Sequence, residues 1–147
     1  DLDGRDIGQA FLFHGPLTVD GEAPDLAAAS MRGEFTGDLA GSAVAGGPDV
    51  DADGSPDFLI GAPGHDQVGS GAGLSYLVYG PLSGEVELKF SGASVEARNR
   101  RDASGTSVAL MADANGDGFG DLLIGSPGVD DAARDAGAAD LVFGDGL

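Results

Sequence analysis

The segment Asp49-Val50-Asp51-Ala52-Asp53-Gly54-Ser55-Pro56-Asp57-Phe58-Leu59-Ile60-Gly61-Ala62-Pro63-Gly64 recurs 64 positions later. The second copy is Asp113-Ala114-Asn115-Gly116-Asp117-Gly118-Phe119-Gly120-Asp121-Leu122-Leu123-Ile124-Gly125-Ser126-Pro127-Gly128. The likeness runs on both sides. Gly41-Ser42-Ala43-Val44-Ala45 answers Gly105-Thr106-Ser107-Val108-Ala109, and Gly73 to Gly80 answers Gly137 to Gly144. A third, partial copy opens the chain, where Gly8-Gln9-Ala10-Phe11-Leu12-Phe13-His14-Gly15 repeats the downstream segment. Self-similarity at a fixed period means one supersecondary unit repeated, each unit too small to bury its own apolar face.

The repeats divide the chain into the tail of one unit at 1–17, a unit at 18–80 and a unit at 81–147. In the unit at 18–80 four apolar or alternating runs, at 27–34, 41–47, 57–62 and 73–80, are bounded by Gly, Pro or Asp and read as short strands. No 3.6-residue periodicity is sustained, which excludes a helical solenoid. Residues 25–31 have some helical character. Their counterpart at 89–95 would make a poor helix, so strand or loop is the reading for both. Four strands per unit predict an all-β chain of β-propeller blades, four-stranded antiparallel sheets, with about two and a quarter blades present.

Composition narrows the partners. The 147 residues carry 25 acidic and 7 basic side chains, a net charge of −18. Nucleic acid and anionic membrane surfaces need basic patches, so both are excluded as partners. Lys89 is the single lysine, and a lysine-poor acidic surface also suits a salty environment, where counterions screen self-repulsion. No apolar run approaches the ~20 residues of a membrane helix, so no membrane insertion is expected. With no cysteine, neither a disulfide nor a thiol nucleophile is available. No signal peptide is visible, and a start at Asp1 points to a processed or truncated product.

The Asp-rich segments carry the chemistry. Asp49, Asp51, Asp53 and Asp57 stand at positions 1, 3, 5 and 9 of a loop with Gly54 at position 6, and Asp113, Asn115, Asp117 and Asp121 repeat the pattern around Gly118. Carboxylates so close repel one another unless a cation lies among them. Oxygen-only donors select a hard ion, Ca²⁺ or Mg²⁺, with backbone carbonyls of Ser55 or Phe119 completing the shell. The loops begin like EF-hands, but position 12 is Ile60 or Ile124 inside an apolar strand, so Asp57 and Asp121 must supply the closing carboxylate. One such turn alone is an ordinary polar turn; two with identical spacing before the same strand predict two Ca²⁺ sites. The first, with four carboxylates against three plus Asn115, is expected to bind more tightly.

Catalytic residues are not expected. His14 and His65 stand in no ligand-spaced cluster, and no Gly-x-Ser-x-Gly nucleophile elbow is present. Arg98-Asn99-Arg100-Arg101, the one basic cluster, reads as a solvated loop or a docking point for an acidic neighbour. Tyr76 and Tyr79 read as packing residues.

Together the Asp-x-Asp/Asn-x-Asp-Gly-x-x-Asp loops and the strands ending in Gly61-Ala62-Pro63 and Gly125-Ser126-Pro127 resemble the FG-GAP repeat of integrin α-subunit propellers and related bacterial proteins. Ala40-Gly41 and Ser104-Gly105 stand where that family has Phe-Gly. The resemblance implies loops joining the first and second strands of each blade at one rim, with structural calcium. It further implies an extracellular or cell-surface module with a structural, adhesive or protein-interaction role. The partners expected are other blades, from the same longer chain or from identical copies, and a protein or glycan ligand. The alternative is a segment of a larger propeller-containing enzyme of polysaccharide lyase or phospholipase type.

Overall fold

The computed structural model describes residues 6–18, 20–134 and 136–145; the first five residues of the tail unit lie outside them. The described residues form three sheets. The first holds β1 (Gln9–Leu12), β2 (Ala29–Arg32) and β6 (Gly84–Glu87); the second holds β3 (Ala43–Gly46), β4 (Phe58–Ala62), β5 (Leu74–Val78) and β7 (Ala93–Glu96); the third holds β8 (Ser107–Met111), β9 (Asp121–Ser126) and β10 (Ala138–Val142). The described residues are all-β apart from one helical turn, α1 (Ala23–Leu26), and a 3-10 turn at Leu88–Phe90.

The second sheet is four-stranded and antiparallel, as the repeat predicts. The third is an antiparallel sheet of three strands. The first also has three, with β1 antiparallel to β2 but β6 parallel to it. The run at 27–34, read as the opening strand of the unit at 18–80, is β2 and pairs with β1. The second sheet is completed instead by β7, from the following unit. Any four consecutive strands share the period, so periodicity leaves open which four hydrogen-bond to each other. Residues 25–31, read as strand or loop, are divided. Pro24 sets the fixed φ of a first helical turn, and the chain becomes extended at Ala27 before β2 begins.

Register explains the layering. In the second sheet Ile60 lies between Val44 and Tyr76; in the third Ile124 lies between Val108 and Asp140. Alternate residues face opposite ways. Ile60, Ala62, Leu74, Tyr76 and Val78 pack towards the first sheet with Ala10, Met31 and Leu88. Leu59 and Leu77 pack towards the third with Val50, Leu122 and Ile124. The second sheet is therefore apolar on both faces, which is why β4 and β5 read as nearly continuous hydrophobic runs. Each fully buried leucine contributes about 1.5–3 kcal/mol.

The glycine that follows each Gly-Ala/Ser-Pro stitches neighbouring sheets. The Gly64 N–H donates to Asp38 O at 3.1 Å and the Gly128 N–H to Asp102 O at 3.0 Å. A Cβ on either would lie 1.9 Å from a backbone oxygen, that of Gly37 or Arg101. Only glycine allows so close an approach.

Candidate metal centre

The first Asp loop links edge strand β3 to β4, and the second links β8 to β9. This is the connection between first and second strands of a sheet, as expected. The two loops adjoin, since the Gly120 N–H donates to Asp49 O at 3.3 Å.

Each loop is organised by its first and last aspartates. Asp49 Oδ1 accepts the Asp53 N–H at 3.1 Å, and Oδ2 the Gly54 N–H at 2.8 Å. Asp113 accepts the N–H groups of Gly116, Asp117 and Gly118 at 2.5, 3.1 and 2.8 Å. Asp57, fully buried, accepts the Val50 N–H at 2.6 Å and the Gly80 N–H at 2.9 Å. Asp121 does the same with Ala114 at 2.7 Å and Gly144 at 3.1 Å. A buried carboxylate receiving two N–H donors ties the loop to the end of the third strand of its sheet.

The middle positions complete the turn. Asp51 Oδ1 accepts the Asp53 N–H at 3.2 Å, and Asp53 Oδ1 the Ser55 N–H at 2.7 Å. In the second loop Asn115 takes the Asp51 position. Its Oδ1 accepts from Asp117 at 3.1 Å, its Nδ2 donates to Asp117 Oδ2 at 2.6 Å, and Asp117 Oδ1 accepts the Phe119 N–H at 2.9 Å. Ser55 and Phe119 are half-buried.

Asp49, Asp51 and Asp57 each bring a carboxylate oxygen within 4.8 Å of the other two. The donor set is all oxygen and anionic, and it fits a hard divalent cation. Its electrostatics agree. Lost hydration, with Asp53, Asp57 and Asp49 alongside, pushes the Asp51 carboxyl up, against the Asp53 N–H that pulls it down. The N–H groups of Gly118, Gly116 and Asp117 hold Asp113 below its ordinary range. Three clustered carboxylates thus carry repulsion that a cation would relieve in the first loop, and Asn115 reduces it in the second.

Two features of the site were not read from the sequence. Position 4 is left-handed in both loops, Ala52 at φ +61° and Gly116 at φ +86°, beside the anticipated glycines Gly54 (+91°) and Gly118 (+100°). The glycine at 116 opposite an alanine was the available signal. The second is Val50, which is 1% exposed and inserts between the second and third sheets while its N–H is held by Asp57. His65, read as a turn residue, is buried against Tyr76 and Phe35.

An all-β chain of stacked small sheets, with Asp loops between first and second strands, is what an FG-GAP repeat describes. The family model of that repeat matches residues 40–78, from the residue before Gly41 to the end of β5. Residues 40–78 are thus an FG-GAP repeat.

Proposed function

We propose that the chain is a calcium-braced β-propeller-type interaction module, working outside the cell or at its surface in a structural or adhesive role. The observation that carries this reading is the convergence of the Asp49, Asp51 and Asp57 carboxylates at the base of a strand buried on both faces. Bound calcium would neutralise a loop that also positions Val50 in the inter-sheet core, so metal and sheet packing would be coupled. Asp49, Asp51, Asp53, Asp57 and the Ser55 carbonyl would hold one ion; Asp113, Asn115, Asp117, Asp121 and the Phe119 carbonyl would hold the second. Sites of this kind outside cells bind at ~10⁻⁴–10⁻³ M, far above cytosolic free calcium. Calorimetric titration of the chelated chain should give two sites, one lost in Asp53→Ala and the other in Asp117→Ala. An unchanged thermal midpoint on adding millimolar calcium would refute the reading.

The partners follow from the third sheet. Leu123, Leu141 and Phe143 are 38%, 46% and 45% exposed, whereas Leu59 and Leu77, 64 positions earlier, are fully buried beneath the third sheet. An equivalent blade, from a longer polypeptide or from another copy, would cover them. Light scattering tests the second source: a monomer at all concentrations leaves a longer polypeptide as the supplier. FG-GAP repeats are typically non-catalytic, and the isolated chain should show no lyase or hydrolase turnover.

A further inference from the structure

The two inter-sheet layers are built from equivalent positions but are not equally filled. Between the first and second sheets, Leu74 and Tyr76 fill the layer, with the buried His65 ring edge-on to Tyr76 at 6.2 Å. Between the second and third sheets the corresponding residues, each 64 positions later, are Ala138, Asp140 and Val129. Two large side chains have been shortened, and the ring beside them is gone. What takes their place is a cavity of about 240 Å³, with Val95, Ile124, Val129 and Val142 among its apolar lining and Arg98 and Asp140 among its polar lining.

The polar groups of the two layers also correspond. The Tyr76 hydroxyl donates to Glu34 Oε1 at 2.9 Å; at the matching positions Arg98 donates to Asp140 Oδ1 at 2.6 Å, and Arg98 also approaches Asp131 at 3.7 Å. Asp102, like its counterpart Asp38, is buried and accepts a backbone N–H, from Asn99 at 2.8 Å. The cavity therefore keeps one carboxylate of the Tyr-type site, Asp102 for Asp38, and replaces the Tyr76–Glu34 pair by the Asp140–Arg98 pair, without the ring.

We infer that this cavity is a binding site for a small aromatic ring bearing a hydroxyl, a phenol, which takes the place that the Tyr76 ring fills in the preceding layer. The size is sufficient, since a cavity of about 150 Å³ made by trimming a core side chain accepts benzene. The polarity sets the class of ligand. Glu96, Asp102 and Asp140 in the lining and Asp131 beside Arg98 outnumber the one guanidinium, so a carboxylate ligand is repelled. A phenolic hydroxyl in the place of the Tyr76 hydroxyl would meet the Arg98–Asp140 pair, which stands where Glu34 does, and can donate to the Asp140 carboxylate. The cavity includes Ser126 and Ala138, at the opposite end of β9 from Asp121, so ring binding does not depend on the metal loops.

The test is a titration of the isotope-labelled 147-residue chain with phenol and separately with benzoate, followed by amide and methyl chemical shifts. Saturable shifts confined to Val95, Ile124, Val129 and Val142 are expected for phenol, with a dissociation constant on the order of 1 mM. Benzoate should bind at least tenfold more weakly. Asp140→Tyr, which restores the ring, should abolish the saturable shifts. Ala138→Leu, a smaller filling that leaves the Arg98–Asp140 pair in place, should weaken binding at least fivefold. Non-saturable or scattered shifts, or phenol binding unchanged in a folded Asp140→Tyr or Ala138→Leu chain, would overturn the inference.

Discussion

Tyr76 and Glu34 are joined by a 2.9 Å hydrogen bond between β5 and the turn that follows β2, and this bond locks the second sheet onto the first. Burial, and next the bond to Glu34, push the Tyr76 hydroxyl well above its ordinary 10.0. Because the folded value is raised, the stabilisation is complete below pH about 10 and is lost as pH climbs above it. Denaturant midpoints should fall between pH 9 and pH 11. Tyr76→Phe should flatten that fall and cost about 1–2 kcal/mol at pH 7, where the bond to a carboxylate is missing. Tyr79, pushed up by burial and by Asp51 and Asp57, supplies a residual slope.

Asp57 and Asp51 should separate loop closure from metal binding. Asp57→Ala leaves the N–H groups of Val50 and Gly80 without their acceptor in a buried setting. It should cost about 3 kcal/mol or more even in chelator. Asp51→Ala, on an exposed side chain, should leave chelated stability within about 0.5 kcal/mol and remove much of the gain on adding calcium. Urea melts of both variants, with and without calcium, form the comparison; equal losses in chelator would contradict this division of roles.

Ala52 occupies a left-handed conformation that its counterpart Gly116 adopts without penalty. Ala52→Gly should stabilise the chain by up to about 1 kcal/mol, and Gly116→Ala should destabilise it by a similar amount. Opposite shifts in thermal midpoint are the expected readout.

Gly128→Ala would drive a Cβ into the Arg101 carbonyl. A loss of about 2–3 kcal/mol is expected. Hydrogen exchange should locate the loosening at Gly128 and Asp102, whose backbone groups the contact joins.

The sequence made the all-β class, most strand positions and both Asp loops legible, because each rests on local chemistry repeated at one spacing. Phe58–Ala62 and Asp121–Ser126 could be read as buried strands because each is an apolar run behind an aspartate that terminates a turn. The grouping of strands into sheets was not legible. Whether Ala29–Arg32 pairs with Gln9–Leu12 or lies beside Ala43–Gly46 depends on long-range hydrogen bonds that leave no local pattern. Burial of His65 was hidden for a similar reason. Its neighbours in sequence are Gly64 and Asp66, while the rings it meets come from residues 35 and 76. Arg98 read as a solvated cation within a basic run, and its partners Asp131 and Asp140 lie more than thirty residues away.

The offset between repeat units and sheets, with β7 closing a sheet begun by the preceding unit, bears on how such chains change length. Strand, loop and inter-sheet glycine recur on one period, so duplicating any 64-residue window inserts one complete sheet wherever the breakpoints fall. Recombination need not respect a structural boundary to yield a foldable product. Each added sheet then takes its strands from two genetic units, so neighbouring copies remain interlocked and cannot diverge into separately folding domains.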